Sequence, residues 1–476
     1  MKANDQVNLT PQFHLFTESQ IRDIHFATLH ILEETGVRVD EEEAVGLLKD
    51  AGAKVGVNGL VWIPPYLVEE AIRTAPKSVT LFHRDRKGKM VLEGNRVYFG
   101  SGSDCPYTYD LETGERRRTR KQDTADFAVL ADYLPNIHFV MSMGNCNDVP
   151  PDACYLGEFE AMVTHTTKPI CFTVEKIGDT KKILEAAAVI AGGAEELQAY
   201  PFCILYDEPI SPLTHPPDTL KKLLYCAKTR IPIIYAAGVS AGGTGPATLA
   251  GCVAQANAEV LSGLVIHQLK ANGAPFVYGA TITILDMSTT NFTHGSPEHF
   301  LMSTARAEMA HSYNLPIFGV GGRTDSKMTD VQAGMEYALS AFLEALCGAN
   351  MVHDVGYTST GLVSSHEMLI MGNELIGMIG RIMEGITVSP ETLAEDVIRE
   401  VGPGGHYLTH EHTLKHFKRE FWFPDLMNRD AINYWEDKGR PQLVNLLRAK
   451  AKWILKEHRP SPLADDVLKK ISNILR

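Results

Sequence analysis

The chain has 476 residues, of which 44% are hydrophobic and 22% are charged, and its formal net charge is −13. This composition is typical of an ordinary globular protein, and the acidic balance argues against a general nucleic-acid binder, which presents a basic face. No run of about 18 uninterrupted apolar residues occurs, so no membrane span is expected. The length fits one large barrel with additions, or two to three domains.

The N-terminal residues and the cysteines predict a cytoplasmic protein. Residues 1–10 are polar and lack the apolar core of a signal peptide. None of the eight cysteines forms a C-x-x-C pair, and several lie inside apolar runs. They are therefore expected to be reduced core residues.

The first 95 residues predict a helical cap with a small antiparallel patch. Apolar residues recur at helical spacing over 17–35, with Thr17 as the candidate N-cap and Gly36 as the stop. Two more helices are predicted over 41–52 and 64–76. Between residues 78 and 100, two segments of alternating apolar and polar residues predict the short strands of the antiparallel patch.

From residue 96 to residue 385, strand-like and helix-like segments alternate at intervals of roughly 30–45 residues, the length of a βα unit. Strands are predicted at 97–101, 137–141, 169–174, 201–206, 231–236, 275–279, 316–320 and 350–355. Helices are predicted at 122–134, 152–166, 179–192, 217–229, 246–271, 297–313, 329–347 and 366–384. Eight strands that alternate with eight helices predict an α/β fold, the TIM (β/α)8 barrel. An open doubly wound sheet is the alternative, but the first unit has no dinucleotide fingerprint.

Residues 386–476 predict a C-terminal loop and helical extension that packs on the barrel or on a neighbouring subunit. The loop contains His406, His410, His412 and His416. Such spacings are common by chance, and no carboxylate or cysteine pattern completes a zinc site. A surface or interface role is favoured over metal binding.

Catalytic residues of a barrel come from the C-terminal ends of its strands. Those ends offer three charged or polar candidates, Arg323, His353 and Glu208, and a set of aromatic rings, Phe99, Tyr206, Tyr235, Tyr278 and Tyr357. Because side chains alternate along a strand, only about half can face one pocket.

An aromatic wall suits a cation without acidic protons, and an arginine on the same rim suits a carboxylate. Together they predict a site for a betaine-like zwitterion, in which Arg323 can be replaced without loss of fold. The alternatives are plain packing for the rings and a structural ion pair of Arg323 with Asp325 or Asp354.

A glycine-rich loop follows the fifth predicted strand and contains Gly242, Gly243, Thr244 and Gly245, with Pro246 as a candidate first helical residue. A loop that opens a helix can bind an anion. This one lacks both the Gly-Lys-Ser/Thr ending of a P-loop and the GxGxxG spacing, so it is a weak signal by itself.

Several segments together resemble the trimethylamine methyltransferase family of corrinoid-dependent enzymes, and the resemblance runs over almost the whole chain. The segments are SPLTHPPDTLKKLL, AGGTGPATLAGCVAQANAEVLSGLV, GGRTDSKMTDVQAGMEYALSAFLEALCGAN and GPGGHYLTHEHT. The resemblance implies a TIM barrel that transfers a methyl group from an amine to Co(I) of a separate corrinoid (cobalamin) protein. The Gly242–Gly245 loop is expected to face that corrinoid, and a homo-oligomer is expected.

The founding members of this family carry pyrrolysine, whereas this sequence shows only standard residues. It therefore resembles the pyrrolysine-lacking branch, whose known members demethylate quaternary amines such as glycine betaine. A quaternary ammonium is already activated because it leaves as a neutral amine, so positioning and desolvation are the main requirements and no acid, base or metal is needed. Two alternatives stay open, a metal-dependent barrel hydrolase or lyase and a betaine-binding protein without catalysis. The sequence does not identify the particular amine.

Overall fold

The computed structural model describes residues 10–476. Helices and strands are numbered in chain order through these residues. The N-terminal elements are α1 (Glu18–His30), β1 (Val37–Val39), α2 (Glu42–Asp50), β2 (Lys54–Val55), β3 (Leu60–Trp62), α3 (Pro65–Thr74), β4 (Val79–Phe82) and β5 (Lys89–Leu92). The central strands begin with β6 (Tyr98–Ser101), β7 (Tyr107–Tyr109) and β8 (Arg116–Arg118).

The βα units follow as α4 (Lys121–Tyr133), α5 (Cys154–His165), β9 (Ile170–Thr173), α6 (Ile177–Ala191), α7 (Ala194–Ala199), β10 (Cys203–Asp207), β11 (Thr214–His215), α8 (Pro217–Thr229), β12 (Ile233–Ala241) and α9 (Leu249–Lys270). They continue as β13 (Phe276–Ile284), α10 (Pro297–Ser312), β14 (Ile317–Val320), α11 (Val331–Leu346), β15 (Met351–Val355), β16 (Tyr357–Thr358), β17 (Val363–Ser364) and α12 (His366–Met383). The eight predicted helices of this region are all present, within three residues of their predicted starts and ends.

A curled, seven-stranded parallel sheet organises the molecule, in the order β6-β15-β14-β13-β12-β10-β9. Seven of the eight predicted strands are thereby confirmed. The predicted strand 137–141 makes only two isolated parallel bridges, from Phe139 to Gly100 on one edge and from Val140 to Ile170 on the other. Its ladder is interrupted because Phe99 donates its backbone N–H to the His138 ring nitrogen instead of a carbonyl.

Side chains on the inner and outer faces of the sheet belong to two separate cores. The inner core contains at least one residue from each of several strands, including Cys171, Ile204, Ile234, Val277 and Phe318. The β4–β5 hairpin contributes Leu81 and Met90 to the same core and so closes the N-terminal end of the strands. The N-terminal end of the strands is therefore covered.

The N-terminal region confirms the three predicted helices, and Thr17 forms the predicted cap with a complete capping box to Gln20. The predicted antiparallel patch corresponds to the β4–β5 hairpin, and two further sheets occur that the sequence did not predict. Strands β1, β2 and β3 form one sheet with β11, which comes from the loop after β10. A second unpredicted sheet, of β7, β8, β16 and β17, joins the loops after β6 and β15. Both sheets consist of strands of only two or three residues, too short for a clear alternation.

The C-terminal extension contains α13 (Pro390–Leu393), α14 (Glu395–Val401), α15 (Glu411–Glu420), α16 (Ile432–Asp437), α17 (Leu443–Glu457) and α18 (Asp465–Ile474). Helix α17 packs on α12 and α4, and α18 packs on α6. Their buried residues include Leu447, Ile454 and Ile471. The preceding part exposes many large apolar side chains, for example Val388 and Leu408.

Helix α9 is long and apolar enough to cross a membrane by length and composition alone, but 83% of its most apolar window is buried inside the protein. It packs against α1, α3 and α8 on the outer face of the sheet. Its hydropathy is therefore that of a core helix.

Candidate active site

The C-terminal end of β10 directs two polar side chains to the inner face of the sheet. Tyr206 lies on the inner face, and its hydroxyl donates a hydrogen bond to Glu208. Asp207, between them, points to the helices, where it lies 2.8 Å from the ammonium of Lys222; both side chains are buried. Burial raises the pKa of Glu208, and Tyr206 and Arg323 oppose that rise.

A β-bulge in β15 turns two consecutive residues toward the same site. The pairing of β15 with β6 shifts register between Val352 and Val355, and Asp354 has φ 89°. A non-glycine residue with positive φ costs roughly 1–2 kcal/mol, so the surrounding contacts must hold it there. The bulge is what lets both His353 and Asp354 contact groups of the inner face.

Arg323 follows β14 after a turn at Gly322, whose φ of 76° suits glycine. Its Nε donates to the Asp354 carboxylate, and its side chain is only 5% exposed. The buried Nη1 has no hydrogen-bond partner. Burial alone would raise the pKa of Asp354, but Arg323 and His353 outweigh it and hold that pKa below its usual range.

The ring of His353 stacks on Phe318, with centroids 4.4 Å apart, and its centroid lies 6.0 Å from that of Tyr206. His353 Nδ1 lies 2.7 Å from Asp354 Oδ1, but the contact lacks hydrogen-bond geometry, and Nε2 has no partner. Burial lowers the pKa of His353. The imidazole is therefore neutral near pH 7, with one buried nitrogen available to a ligand.

Tyr357 and Asp104 complete this group of side chains. The Tyr357 hydroxyl bonds to the backbone of Ser103, and the next residue, Asp104, has φ 60°. Its carboxylate accepts a hydrogen bond of 3.0 Å from the Thr173 hydroxyl. Burial raises the pKa of Asp104 to about 6. Sequence reasoning missed Asp104, although its place two residues after Gly102, just beyond β6, was a usable signal.

Five of the predicted ligand residues thus come together: Arg323, His353, Glu208, Tyr206 and Tyr357. The other three, Phe99, Tyr235 and Tyr278, belong to the outer core, so the prediction that they face the ligand is wrong. The Tyr235 hydroxyl bonds to His215 at 2.6 Å, and the Tyr278 hydroxyl donates to Asn257 at 2.9 Å. These partners lie in the layer of helices and loops outside the sheet.

The glycine-rich loop is exposed at the C-terminal end of β12. The N–H groups of Gly243, Thr244 and Gly245 all donate to Ser240 O, and Gly242 N donates to Gly245 O. The loop amides are therefore occupied internally and do not form an anion site. Helix α9 starts at Leu249, with Thr248 as its cap, rather than at Pro246.

Of the two alternative partners for Arg323, the structure selects Asp354. Asp325 instead accepts the backbone N–H groups of His294, at 2.7 Å, and Gly295, at 2.9 Å. It therefore holds the loop between β13 and α10. Because Arg323 pairs with a buried carboxylate, the expectation that it can be removed without effect on the fold is also revised.

The four histidines of the C-terminal loop lie apart from this site. His410, His412 and His416 border a surface cavity of about 610 Å³ next to α13, and the rings of His412 and His416 lie 4.3 Å apart. Over residues 10–476, no three His, Cys, Asp or Glu side chains are grouped as metal ligands would be.

The geometry supplies complementary groups for an ion of each sign. On one side, Arg323 Nη1 and His353 Nε2 are buried and unpartnered. On the other side, the Tyr206 ring lies next to the carboxylate of Glu208. A zwitterion meets both, and its carboxylate would satisfy buried donors that are costly to leave unpaired.

Comparison with solved structures identifies the class of fold. The crystal structure of the monomethylamine methyltransferase of Methanosarcina barkeri matches with a TM-score of 0.54, covering 95% of this chain and 90% of that chain, at 8% identity. At that identity the likeness concerns the fold alone, an α/β fold with a curled parallel sheet.

Sequence comparison identifies the family. The family model described as trimethylamine methyltransferase (MTTB) matches residues 1–475. A glycine betaine methyltransferase of Desulfitobacterium hafniense (strain Y51) is 34% identical, over 96% of each chain. A trimethylamine methyltransferase of D. hafniense (strain DSM 10664 / DCB-2) is 32% identical, over 97% of this chain and 93% of the relative. The chain belongs to the trimethylamine methyltransferase family, and it is a methyltransferase.

Proposed function

We propose that the protein transfers a methyl group from a quaternary amine, glycine betaine or a related betaine, to Co(I) of a separate corrinoid protein. The observation that carries this proposal is the pairing, in one buried site, of an arginine with a free Nη1 and an aromatic ring beside a carboxylate. The similarity to a protein named glycine betaine methyltransferase supports the same substrate class.

In the proposed complex, Arg323 Nη1 donates to the substrate carboxylate, and His353 donates to it in the tautomer that carries the ring proton on Nε2. Asp354 keeps the guanidinium in place through Nε, so Arg323 is oriented before the substrate arrives. The ammonium lies against the ring of Tyr206, with Glu208 as its counter-charge and Tyr357 at the side. An ammonium over a ring face gains about 0.5–2 kcal/mol, and most where water is excluded.

The corrinoid supplies the Co(I) nucleophile. The chain itself holds the substrate so that one methyl group points to the C-terminal end of the strands, because the β4–β5 hairpin blocks the opposite end. The C–N electron pair stays on nitrogen, which leaves as a neutral tertiary amine, so no general acid is required for bond cleavage. Orientation and the exclusion of water are the main contributions of the protein.

The rim around the C-terminal end fits a partner with a large, partly apolar face. Four different βα loops each expose a large apolar side chain: Ile210 (58% exposed), Met287 (67%), Met328 (61%) and Leu362 (55%). A Cβ atom on Gly242 would collide with the Met287 side chain, so the Gly242–Gly245 loop adjoins this rim. Exposed apolar patches of this kind mark interaction sites.

The remaining expectations extend this proposal. Residues 96–385 would form a closed (β/α)8 barrel with 137–141 as an irregular eighth strand, supported by its bridges to both sheet edges. Residues 1–95 and 386–476 would be the cap and the extension, and the exposed apolar residues of the extension suit a homo-oligomer. The eight unpaired cysteines fit a reducing, cytoplasmic location.

The test is a panel of quaternary amines incubated with the protein and a reduced corrinoid protein, with the loss of Co(I) absorbance as the readout. Glycine betaine or another betaine should give transfer and one equivalent of the demethylated amine. Transfer from trimethylamine alone would contradict the substrate assignment. Binding without transfer would favour a betaine-binding protein, and activity that needs an added divalent metal would favour the hydrolase or lyase alternative.

A further inference from the structure

Asp104 lies close to the proposed ammonium position, and the proposed function gives it no role. Its carboxylate is held by the hydroxyl of Thr173 on β9. Thr173 is the direct neighbour of Tyr206 in the pairing of β9 with β10. Adjacent strands lie about 4.8 Å apart, so Asp104 is placed one strand away from the Tyr206–Glu208 pair.

We propose that Asp104 and Glu208 form a two-carboxylate cation subsite that exchanges a proton for the quaternary ammonium, releasing it on substrate binding and recovering it after methyl transfer. This inference rests on the proposed function. Asp104 then contributes to substrate specificity, because the proton exchange favours a ligand with a fixed positive charge over a neutral amine.

The balance of charges in the site supports this exchange. Asp354 is neutralised by Arg323, whereas Asp104, Glu208 and Glu158 have no cationic partner among the ion pairs of residues 10–476. Burying two such carboxylates close together without a cation is costly, so one of them tends to keep a proton.

The groups around Asp104 favour its protonated form on balance, although hydrogen bonds from Thr173 and Ser103 lower its pKa. Burial raises its pKa to about 6, and the negative charges of Glu208 and Asp354 add to the rise. Glu158, on α5, has a raised pKa, first from burial and then from Asp104. Tyr155 on the same helix has a raised pKa as well, and His353 is neutral because burial lowers its pKa.

The unpartnered Arg323 Nη1 and His353 Nε2 point to a ligand site and not only to a cluster of acidic residues. The His353 ring adjoins the ring of Tyr206, whose hydroxyl bonds to Glu208. A bound betaine thus brings its positive charge to the two carboxylates and its negative charge to the two free donors.

The exchange is balanced in protons and electrons. On binding, the protonated carboxyl group releases H⁺ to solvent and becomes the counter-ion of the ammonium. On methyl transfer, nitrogen keeps the C–N electron pair and becomes neutral, so the positive charge is lost from the site. One H⁺ from solvent then returns, either to the amine nitrogen or to the carboxylate, and no other reactant is needed.

The test is calorimetry of glycine betaine binding at pH 6 in two buffers with different ionisation enthalpies, without the corrinoid protein. The wild-type chain should release about 0.5–1 proton per ligand at pH 6 and less at pH 8. Tetramethylammonium, which lacks a carboxylate, should release a similar number. Asp104→Asn, which keeps the acceptor for Thr173, should lower the count.

Asp126→Asn is the matched control, because Asp126 also has a pKa raised by burial but lies on the outer helix α4. It should leave the proton count unchanged. Binding with the same enthalpy in both buffers at pH 6 would overturn the exchange and leave the methyl-transfer proposal intact. Proton-linked binding without transfer to any corrinoid would overturn the methyl-transfer proposal instead, and failure of every quaternary ammonium to bind would overturn both. If Asp104→Asn does not fold, the wild-type counts at the two pH values decide.

Discussion

Arg323 and Asp354 form a buried ion pair that uses only one side of the guanidinium group. Nε of Arg323 is bonded to the carboxylate, while Nη1 has no partner. A purely structural pair would be expected to use the bidentate geometry that Arg117 and Asp123 show in the same fold, with both N–H···O distances at 2.7 Å. The one-sided contact leaves a desolvated donor for a ligand.

Replacing Arg323 should therefore affect both stability and binding. In Arg323→Ala, the buried Asp354 carboxylate loses its counter-charge, so the free energy of unfolding should fall by about 3–5 kcal/mol. The double variant Arg323→Ala/Asp354→Ala should recover part of that stability but should still fail to bind glycine betaine. Urea unfolding and calorimetry measure the two effects.

Arg73→Ala is the control for the unfolding experiment, since Arg73 is 72% exposed and pairs with Glu70 at the surface. Its effect on the free energy of unfolding should be much smaller, because an exposed ion pair is screened by solvent. An Arg323→Ala variant with wild-type stability and wild-type betaine affinity would show that the substrate carboxylate is bound elsewhere.

The sequence was sufficient for the α/β fold and for seven of the eight parallel strands, because the βα period is regular and each strand is a short apolar run. It was not sufficient to decide which face of a strand each side chain occupies. Strands β12 and β13 are apolar on both faces, as buried parallel strands are, so nothing in their pattern distinguishes Tyr235 and Tyr278 from Ile234 and Val277.

The bulge in β15 was also invisible in the sequence. In a regular strand, His353 and Asp354 would face opposite sides of the sheet. The register shift in β15, where Asp354 has φ 89°, brings both side chains to Arg323. Asp104 was missed for a related reason. It lies beyond the strand end, and its position depends on a hydrogen bond to Thr173, 69 residues away in sequence.

Tyr206 and Tyr235 lie on opposite faces of the sheet, so replacing each of them tests which one contacts the ligand. Tyr206→Leu removes the ring at the proposed ammonium position and should weaken betaine binding by about 0.5–2 kcal/mol. Tyr235→Phe removes the hydroxyl that bonds to buried His215. It should lower the free energy of unfolding by about 1–3 kcal/mol and leave betaine affinity unchanged. If Tyr235→Phe weakened betaine binding instead, Tyr235 would have to be part of the ligand site.

The buried histidines predict a loss of stability in acid. Burial lowers the pKa of His215 and His366 to about 4, and of His267 and His299 to about 3, from the ordinary value of 6.5. The unfolded chain therefore binds protons that the folded chain does not. This stabilisation is complete above pH 6.5 and is lost as the pH falls toward the folded values, by up to about 1.4 kcal/mol per pH unit for each histidine.

Carboxyl groups with raised pKa, such as Asp104 and Asp207, act in the opposite sense and offset part of this slope. Urea unfolding between pH 7 and pH 4 measures the net effect. His299→Gln should flatten the profile by up to about 1.4 kcal/mol per pH unit, and His30→Gln, which replaces an exposed residue of α1, is the control. A stability that is constant from pH 7 to pH 4 would contradict the assignment of neutral buried histidines.

The rim of exposed apolar side chains gives the last test, which concerns the partner. Met328→Asp and Leu362→Asp place a charge on two different βα loops at the C-terminal end of the strands. Both side chains are more than half exposed, so the fold and betaine affinity should be retained. If the corrinoid protein docks here, the KM for that protein should rise about tenfold, equivalent to about 1.4 kcal/mol. Val388→Asp is the matched control, because Val388 is 71% exposed and belongs to the C-terminal extension. A KM that rises for Val388→Asp and not for the two rim variants would place the docking surface on the extension instead.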